Sequence, residues 1–141
     1  MAYASNVTLV ASRTDTADVA EAAGTAITGV DLYRRGTFIL SATAVSGTVT
    51  LDVTIQAYIN GFWSDIARFA QVTANAERIL WDVGGTLGTG TTTIEEATQA
   101  LDITVSTKRA GPWGTQLRAR YVVEITGTAS ITWTVVGVLH S

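Results

Sequence analysis

From Gly47 to Trp63 the chain repeats with a period of two. Val49, Leu51, Val53, Ile55, Ala57 and Ile59 alternate with Thr48, Thr50, Asp52, Thr54, Gln56 and Tyr58, up to Asn60-Gly61. Successive side chains of an extended strand point to opposite faces, so the apolar residues share one face and the polar residues the other. Asn-Gly readily adopts the positive φ angles of a two-residue hairpin turn. A long, half-buried β-hairpin is expected here.

A second alternating pair lies near the C-terminus. Leu117, Ala119, Tyr121, Val123 and Ile125 are interleaved with Arg118, Arg120, Val122 and Glu124. Thr126-Gly127-Thr128 then reads as the turn of a second hairpin, leading into Ile131, Trp133, Val135, Gly137 and Leu139. Val7 and Leu9 mark a short first strand. Arg34-Arg35-Gly36 is a polar turn into a core strand from Thr37 to Val45, and Ala76 to Trp81 and Leu101 to Val105 are further strands. Phe62 to Val72 is the return strand of the first hairpin. Neither of its faces is purely apolar, which a bulge or a partner-covered outer face would resolve.

The stretch from Gly84 to Thr93 is a Gly/Thr-rich long loop, and Lys108 to Pro112 is a polar turn. Thr93-Ile94-Glu95-Glu96 between them matches a capping box for one helical turn to Ala100. The alanines between Asp15 and Gly24 could make a short helix, but the segment lacks a large apolar stripe to anchor one, and extended structure or an arm is favoured. Short strands at close spacing, with no alternation of strands and helices, predict an all-β fold. The expectation is an antiparallel β-sandwich or jelly roll of about eight strands with at most one short helix. Residues 1–24 form an N-terminal strand and possible extended arm, and residues 25–141 the β-sandwich domain.

The chain has 141 residues, no cysteine and one histidine, His140. A single domain of this size typically buries roughly 68–70% of the surface its unfolded chain exposes, so no metal or disulfide staple is required. Hydrophobic residues make up 47% of the chain, yet no run approaches the roughly 18 apolar residues of a membrane span. No membrane partner is expected. A net charge of −3, with the basic residues scattered, gives no general attraction toward phosphate backbones, so no direct nucleic-acid partner is expected either. The N-terminus lacks the basic and apolar regions of a secretory signal.

Reactive chemistry is poorly served. A serine or cysteine nucleophile needs a positioned base, and His140 stands beside the C-terminus without evident partners. Glu95 with Glu96, Asp102, and Asp52 with Asp65 are the carboxylates to consider, but adjacent Glu95 and Glu96 point in different directions rather than into one cleft. No calcium-loop pattern occurs. No enzyme activity, cofactor or metal is expected. Charged residues are only 15% of the chain, and a hydroxyl-rich surface is cheaper to desolvate against a protein than one dense in lysine and glutamate.

Three segments carry a family resemblance: Ala44 to Gln56, then Gly61-Phe62-Trp63-Ser64-Asp65-Ile66, then Phe69-Ala70-Gln71-Val72-Thr73-Ala74. Together they resemble a tailed-bacteriophage pattern in which a strand ending in glutamine turns into a W-[ST]-D-[IVL] return strand, followed by phenylalanine and a V-T-A step. Leu117-Arg118-Ala119-Arg120-Tyr121 and Ser130 to Val138 are similar to that family's last two strands. The family is that of head decoration, or capsid cement, proteins with a jelly-roll core. The resemblance implies a structural virion protein made in the host bacterial cytoplasm, which binds the outside of the capsid and stabilises the shell. Its implied partners are the major capsid protein and its own copies in a homotrimer.

The Gly84 to Thr93 loop departs from the shortest versions of the pattern and leaves a phage tail role open. A carbohydrate-binding β-sandwich is the other alternative, since four tryptophans are available and aromatic faces suit sugars. Trp133 falls in the apolar parity and is expected in the core. Trp63 and Trp113 adjoin turns and are expected to be better exposed. With Arg34 and Arg35 they are the protein-contact candidates.

Overall fold

The computed structural model describes residues 4–84, 107–108 and 113–141. Its frame is a pair of 25-residue strands, β4 (Arg35–Ile59) and β8 (Gln116–His140). They run antiparallel from Arg35 opposite His140 to Tyr58 opposite Gln116. Each bends midway at a glycine with positive φ, Gly47 at 73° and Gly127 at 71°. L side chains disfavour that conformation, so glycine marks both bends.

The other strands attach to one half or the other of this ladder. β1 (Ala4–Asp15) pairs with the C-terminal half of β8, and β6 (Ala76–Val83) with the N-terminal half of β4. The first half-sheet is therefore β1-β8-β4-β6. On the opposite half, β2 (Val19–Ala23) and β3 (Ile27–Thr28) pair with β8 and β5 (Phe62–Arg68) pairs with β4. β7 (Thr107–Lys108) adds to the outside of β5. Two antiparallel half-sheets sharing two bent strands is a jelly-roll arrangement. A 3-10 turn at Val30–Leu32 is the one helical element among the described residues.

The inward side chains form one core that includes Phe38, Leu40, Leu51, Ile55, Leu117, Ile131, Trp133 and Leu139. In β8 the buried positions are odd-numbered on both sides of Gly127. In β4 the buried apolar residues are even at Phe38, Leu40 and Ala42 but odd from Val49 to Ala57. The register explains the switch. Ala42 and Ala44 pair with the adjacent residues Trp133 and Thr132, which leaves Thr43 as an extra residue in β4. This bulge, with a further register shift between Ser46 and Thr48, keeps both halves of β4 facing the core.

The first hairpin has the expected register: Ile59 faces Phe62, and Asn60 and Gly61 have φ of 49° and 89°. Both central residues thus carry the positive φ of a type I′ turn. Ile59 at its tip is exposed rather than buried. The mixed faces of the return strand are resolved by a bulge: Asp65 faces Gln56 and Ala67 faces Ile55, with Ile66 between them. The strand ends at Arg68, and Val72 instead makes a separate bridge to Leu51.

The expected second hairpin is corrected. Thr126-Gly127-Thr128 is a bend within one strand; Ile125 pairs with Val49 and Ile131 with Val45, so the two halves of β8 pair with β4 and not with each other. The unbroken odd parity from Leu117 to Leu139 is what one continuous strand requires. Within the segment read as an N-terminal strand and possible arm, β1 and β2 pair with β8, and Leu9, Val10 and Asp15 are buried. The loop from Gly84, the capping box, the Leu101 to Val105 strand and most of the turn before Trp113 lie outside the described residues.

Candidate functional site

The four contact candidates sit at the end of the sandwich opposite the glycine bends. Both ends of β4 arrive there: Thr115 donates its N–H to the Tyr58 carbonyl at 3.2 Å, and a Cβ on Gly36 would lie 3.2 Å from the Trp113 ring. Arg34 and Arg35 are exposed. The Arg34 N–H donates to the His140 carbonyl at 2.8 Å, and the Arg35 guanidinium lies 3.3 Å from the Asp82 carboxylate. Such an exposed ion pair adds little stability.

Trp113 does not share their exposure. It is 7% exposed, donates its indole N–H to the Val30 carbonyl at 3.0 Å and meets Phe38 edge-on at 6.4 Å. Its ring turns inward because the glycine at position 36 leaves room for it, so it belongs to the core. Trp133 is also buried, as its parity predicts.

Trp63 is half-buried on the outer face of the second half-sheet, opposite Tyr58, with the two ring centroids 5.2 Å apart. The Arg118 guanidinium lies over the Trp63 ring at 4.1 Å. Arg118 Nε donates to Gln56 Oε1 at 2.8 Å, and Gln56 Nε2 donates to Asp65 Oδ1 at 2.9 Å. Gln56 and Asp65 are 0% and 1% exposed although their parity is outward. Burial pulls the Arg118 pKa below the usual arginine value, while Glu21 acts in the opposite direction. Arg118, Gln56 and Asp65 are not among the protein-contact candidates that the sequence suggests, although Asp65 is one of its candidate carboxylates. The Asn60-Gly61 turn fixes the Gln56–Asp65 pairing, but nothing local brings Arg118 to it.

A second buried polar cluster lies at the inner end of β1. Asp15, 6% exposed, accepts from Arg13 Nη2 at 2.6 Å and from Trp133 Nε1 at 2.8 Å, and Arg13 also donates to the Tyr121 hydroxyl. The hydrogen bond to Asp15 raises the Arg13 pKa. These groups complete one another's hydrogen bonds, as buried polar groups must.

Asp52 is similarly engaged, accepting from Arg68 at 3.1 Å and from Gln71 at 2.9 Å. Beside them is a recess of about 110 Å³ lined by Asp52, Thr54, Arg68, Arg120, Tyr121 and Val122. Ligand pockets usually span about 300–1,000 Å³, so it is too small for a drug-sized molecule. Among the described residues no group of three His, Asp or Glu side chains is placed to hold a metal ion. Glu95, Glu96 and Asp102 lie outside them. Large apolar side chains are left exposed instead: Leu32 (73%), Trp81 (66%) and Phe62 (53%), with Ile59 and Ile79 less so.

No protein-family model and no curated protein sequence matches the chain. Among solved structures, it is similar to a chain of infectious bursal disease virus strain Gx, at 11% identity and a TM-score of 0.48. It is also similar to a chain of strain Gt, at 12% identity and a TM-score of 0.43. Each alignment covers 99% of this chain and 31% of the other, so the chain spans about a third of the length of these viral chains.

Proposed function

We propose that this chain is a non-enzymatic structural virion protein that binds the outside of a phage capsid and stabilises the shell as a homotrimer. Its partners in this reading are the major capsid protein and its own copies. The observation that carries the reading is the division of labour among side chains. Gln56, Asp65, Arg118, Asp15 and Arg13 are committed to internal hydrogen bonds, whereas Leu32, Phe62 and Trp81 are exposed. Exposed aromatic and apolar side chains favour a protein partner. The sequence resemblance to capsid decoration proteins supplies the identity of that partner.

The sandwich acts as a brace. Two long strands paired along most of their length frame both half-sheets, and many copies on one shell add avidity to modest individual contacts. The carbohydrate alternative calls for two exposed, coplanar aromatic faces. Trp113 is buried, and the Tyr58 and Trp63 rings are inclined by 56°.

Rate-zonal sedimentation of lysate from the native source, with mass spectrometry of each fraction, tests the reading. The chain is expected in many copies on DNA-filled heads. Recovery only as a free small protein would refute it, and recovery on isolated tails would transfer the role to the tail.

A further inference from the structure

We infer that the outer face of the β1-β8-β4-β6 half-sheet is the surface that docks on the shell, through a neutral contact that does not depend on salt. The inference rests on the proposed virion role and identifies the part of the molecule that performs it. Its central row is apolar: Ile79 pairs with Ile39, and Ile39 with Val136. These side chains point outward, because their neighbours Leu80, Leu40 and Val135 are buried. Trp81 lies at the rim of the row, 66% exposed.

Toward the bend the face becomes hydroxyl-bearing. Ser41 faces Thr134, and the Thr14 and Thr132 hydroxyls are 2.7 Å apart. From Thr37 to Ser46 and across the paired strands, the described outward charges are Glu77 and, at the rim beside Trp81, Asp82, which is ion-paired with Arg35. The outer face of the other half-sheet is different: Arg68, Arg118, Arg120, Asp52 and Glu124 lie on it.

Charge complementarity sets the chemistry of the occupant. A face whose described charges are one carboxylate and one ion pair at the rim does not attract phosphate or an anionic membrane and gains little from a charged protein patch. A flat, neutral protein surface fits it. Area then separates a shell from a second copy. Four strands at about 4.8 Å spacing and about eight residues at 3.3 Å give roughly 500 Å² per partner, or about 1,000 Å² in all. Stable pairs bury about 1,200–2,000 Å², so this face is too small to hold an isolated dimer. On a lattice, copies that touch one another add the missing affinity.

A matched pair of substitutions on β8 tests the assignment: Val136→Lys on this face and Val122→Lys on the other, with Ile79→Lys as a second probe on an edge strand. Each variant is mixed with DNA-free shells purified from particles lacking this chain, and bound copies are counted after sedimentation. Val136→Lys and Ile79→Lys should reduce binding by about tenfold or more, the loss of one central interface contact. Val122→Lys should bind within about twofold of the unmodified protein, whose own binding should change less than about threefold between 0.05 and 0.5 M NaCl.

Unchanged binding by Val136→Lys and Ile79→Lys would overturn the face assignment while leaving the virion role standing. Failure of the unmodified protein to bind shells would instead overturn the virion role, and the assignment with it. A drop in oligomeric mass for Ile79→Lys would show that the face joins copies to one another, which also overturns the assignment.

Discussion

Replacing each bend glycine by alanine separates two costs that the structure assigns to different places. Gly47 and Gly127 have nearly the same φ, 73° and 71°. A left-handed backbone costs an alanine roughly 1–2 kcal/mol at either site. The surroundings differ. A Cβ on Gly47 would lie 2.7 Å from the Ala129 Cβ and 3.0 Å from its Cα, whereas a Cβ on Gly127 meets nothing within 4 Å. Overpacking of this kind adds about 1–3 kcal/mol. Gly127→Ala should therefore cost about 1–2 kcal/mol and Gly47→Ala about 2–5 kcal/mol. The entropic gain from restricting the unfolded chain is common to both and cancels in their difference. Urea denaturation followed by tryptophan fluorescence reads that difference from midpoints at unchanged slope. The double variant Gly47→Ala/Ala129→Gly removes the closer of the two Ala129 contacts and should show a favourable coupling of about 1 kcal/mol or more. Equal costs for the two single variants, or no coupling in the double variant, would refute the close approach of the two strands at the bend.

Asp15→Ala leaves the buried Trp133 indole N–H without its acceptor and should destabilise the fold by about 2–4 kcal/mol, with Asp15→Asn costing less, as measured by chemical denaturation. Trp113→Ala should cost about 3–5 kcal/mol as a core truncation. Trp63→Ala, at a half-buried site, should cost less than half as much, and equal losses by thermal melts would contradict their different burial. Removing residues 1–15 takes away β1, including Leu9 and Val10 of the core, and uncovers one edge of β8. Insoluble or molten protein is expected, and a cooperative melt with native strand content by circular dichroism would show that β1 is dispensable.

The legible parts of the fold are those fixed by local pattern. The Asn60-Gly61 turn sets the pairing of Ile59 with Phe62, and counting back from it places Gln56 opposite Asp65. Alternation identifies the inward residues of β4 and β8. The bulge at Thr43 was not legible, because Ala42-Thr43-Ala44 is compatible with either parity and only the partner strand decides. Thr126-Gly127-Thr128 misled for a related reason: a glycine with positive φ serves a tight turn and a strand bend equally well, and the difference lies in β4, which is long enough to pair with both halves. The sequence neighbours of Trp113 predict exposure, yet its hydrogen-bond partner Val30 is 83 residues away. The Arg118–Gln56 contact spans 62 residues and was invisible for the same reason.

The placement of charge along β8 connects this architecture to the proposed role. Before the bend its outward positions are Gln116, Arg118, Arg120, Val122, Glu124 and Thr126; after it they are Ser130, Thr132, Thr134, Val136, Val138 and, at the strand's end, His140. One strand thus changes from charged to neutral at Gly127, where the chain passes from one half-sheet to the other. Because the core lies between the half-sheets, their outer faces look away from each other, and the switch in composition becomes a switch in surface character. A charged outer face favours solubility and resists self-association. A neutral face sheds its water more readily and suits permanent contact with protein. On the proposed role, β8 therefore gives the molecule one face for solvent and one for the shell, and the bend at Gly127 separates them.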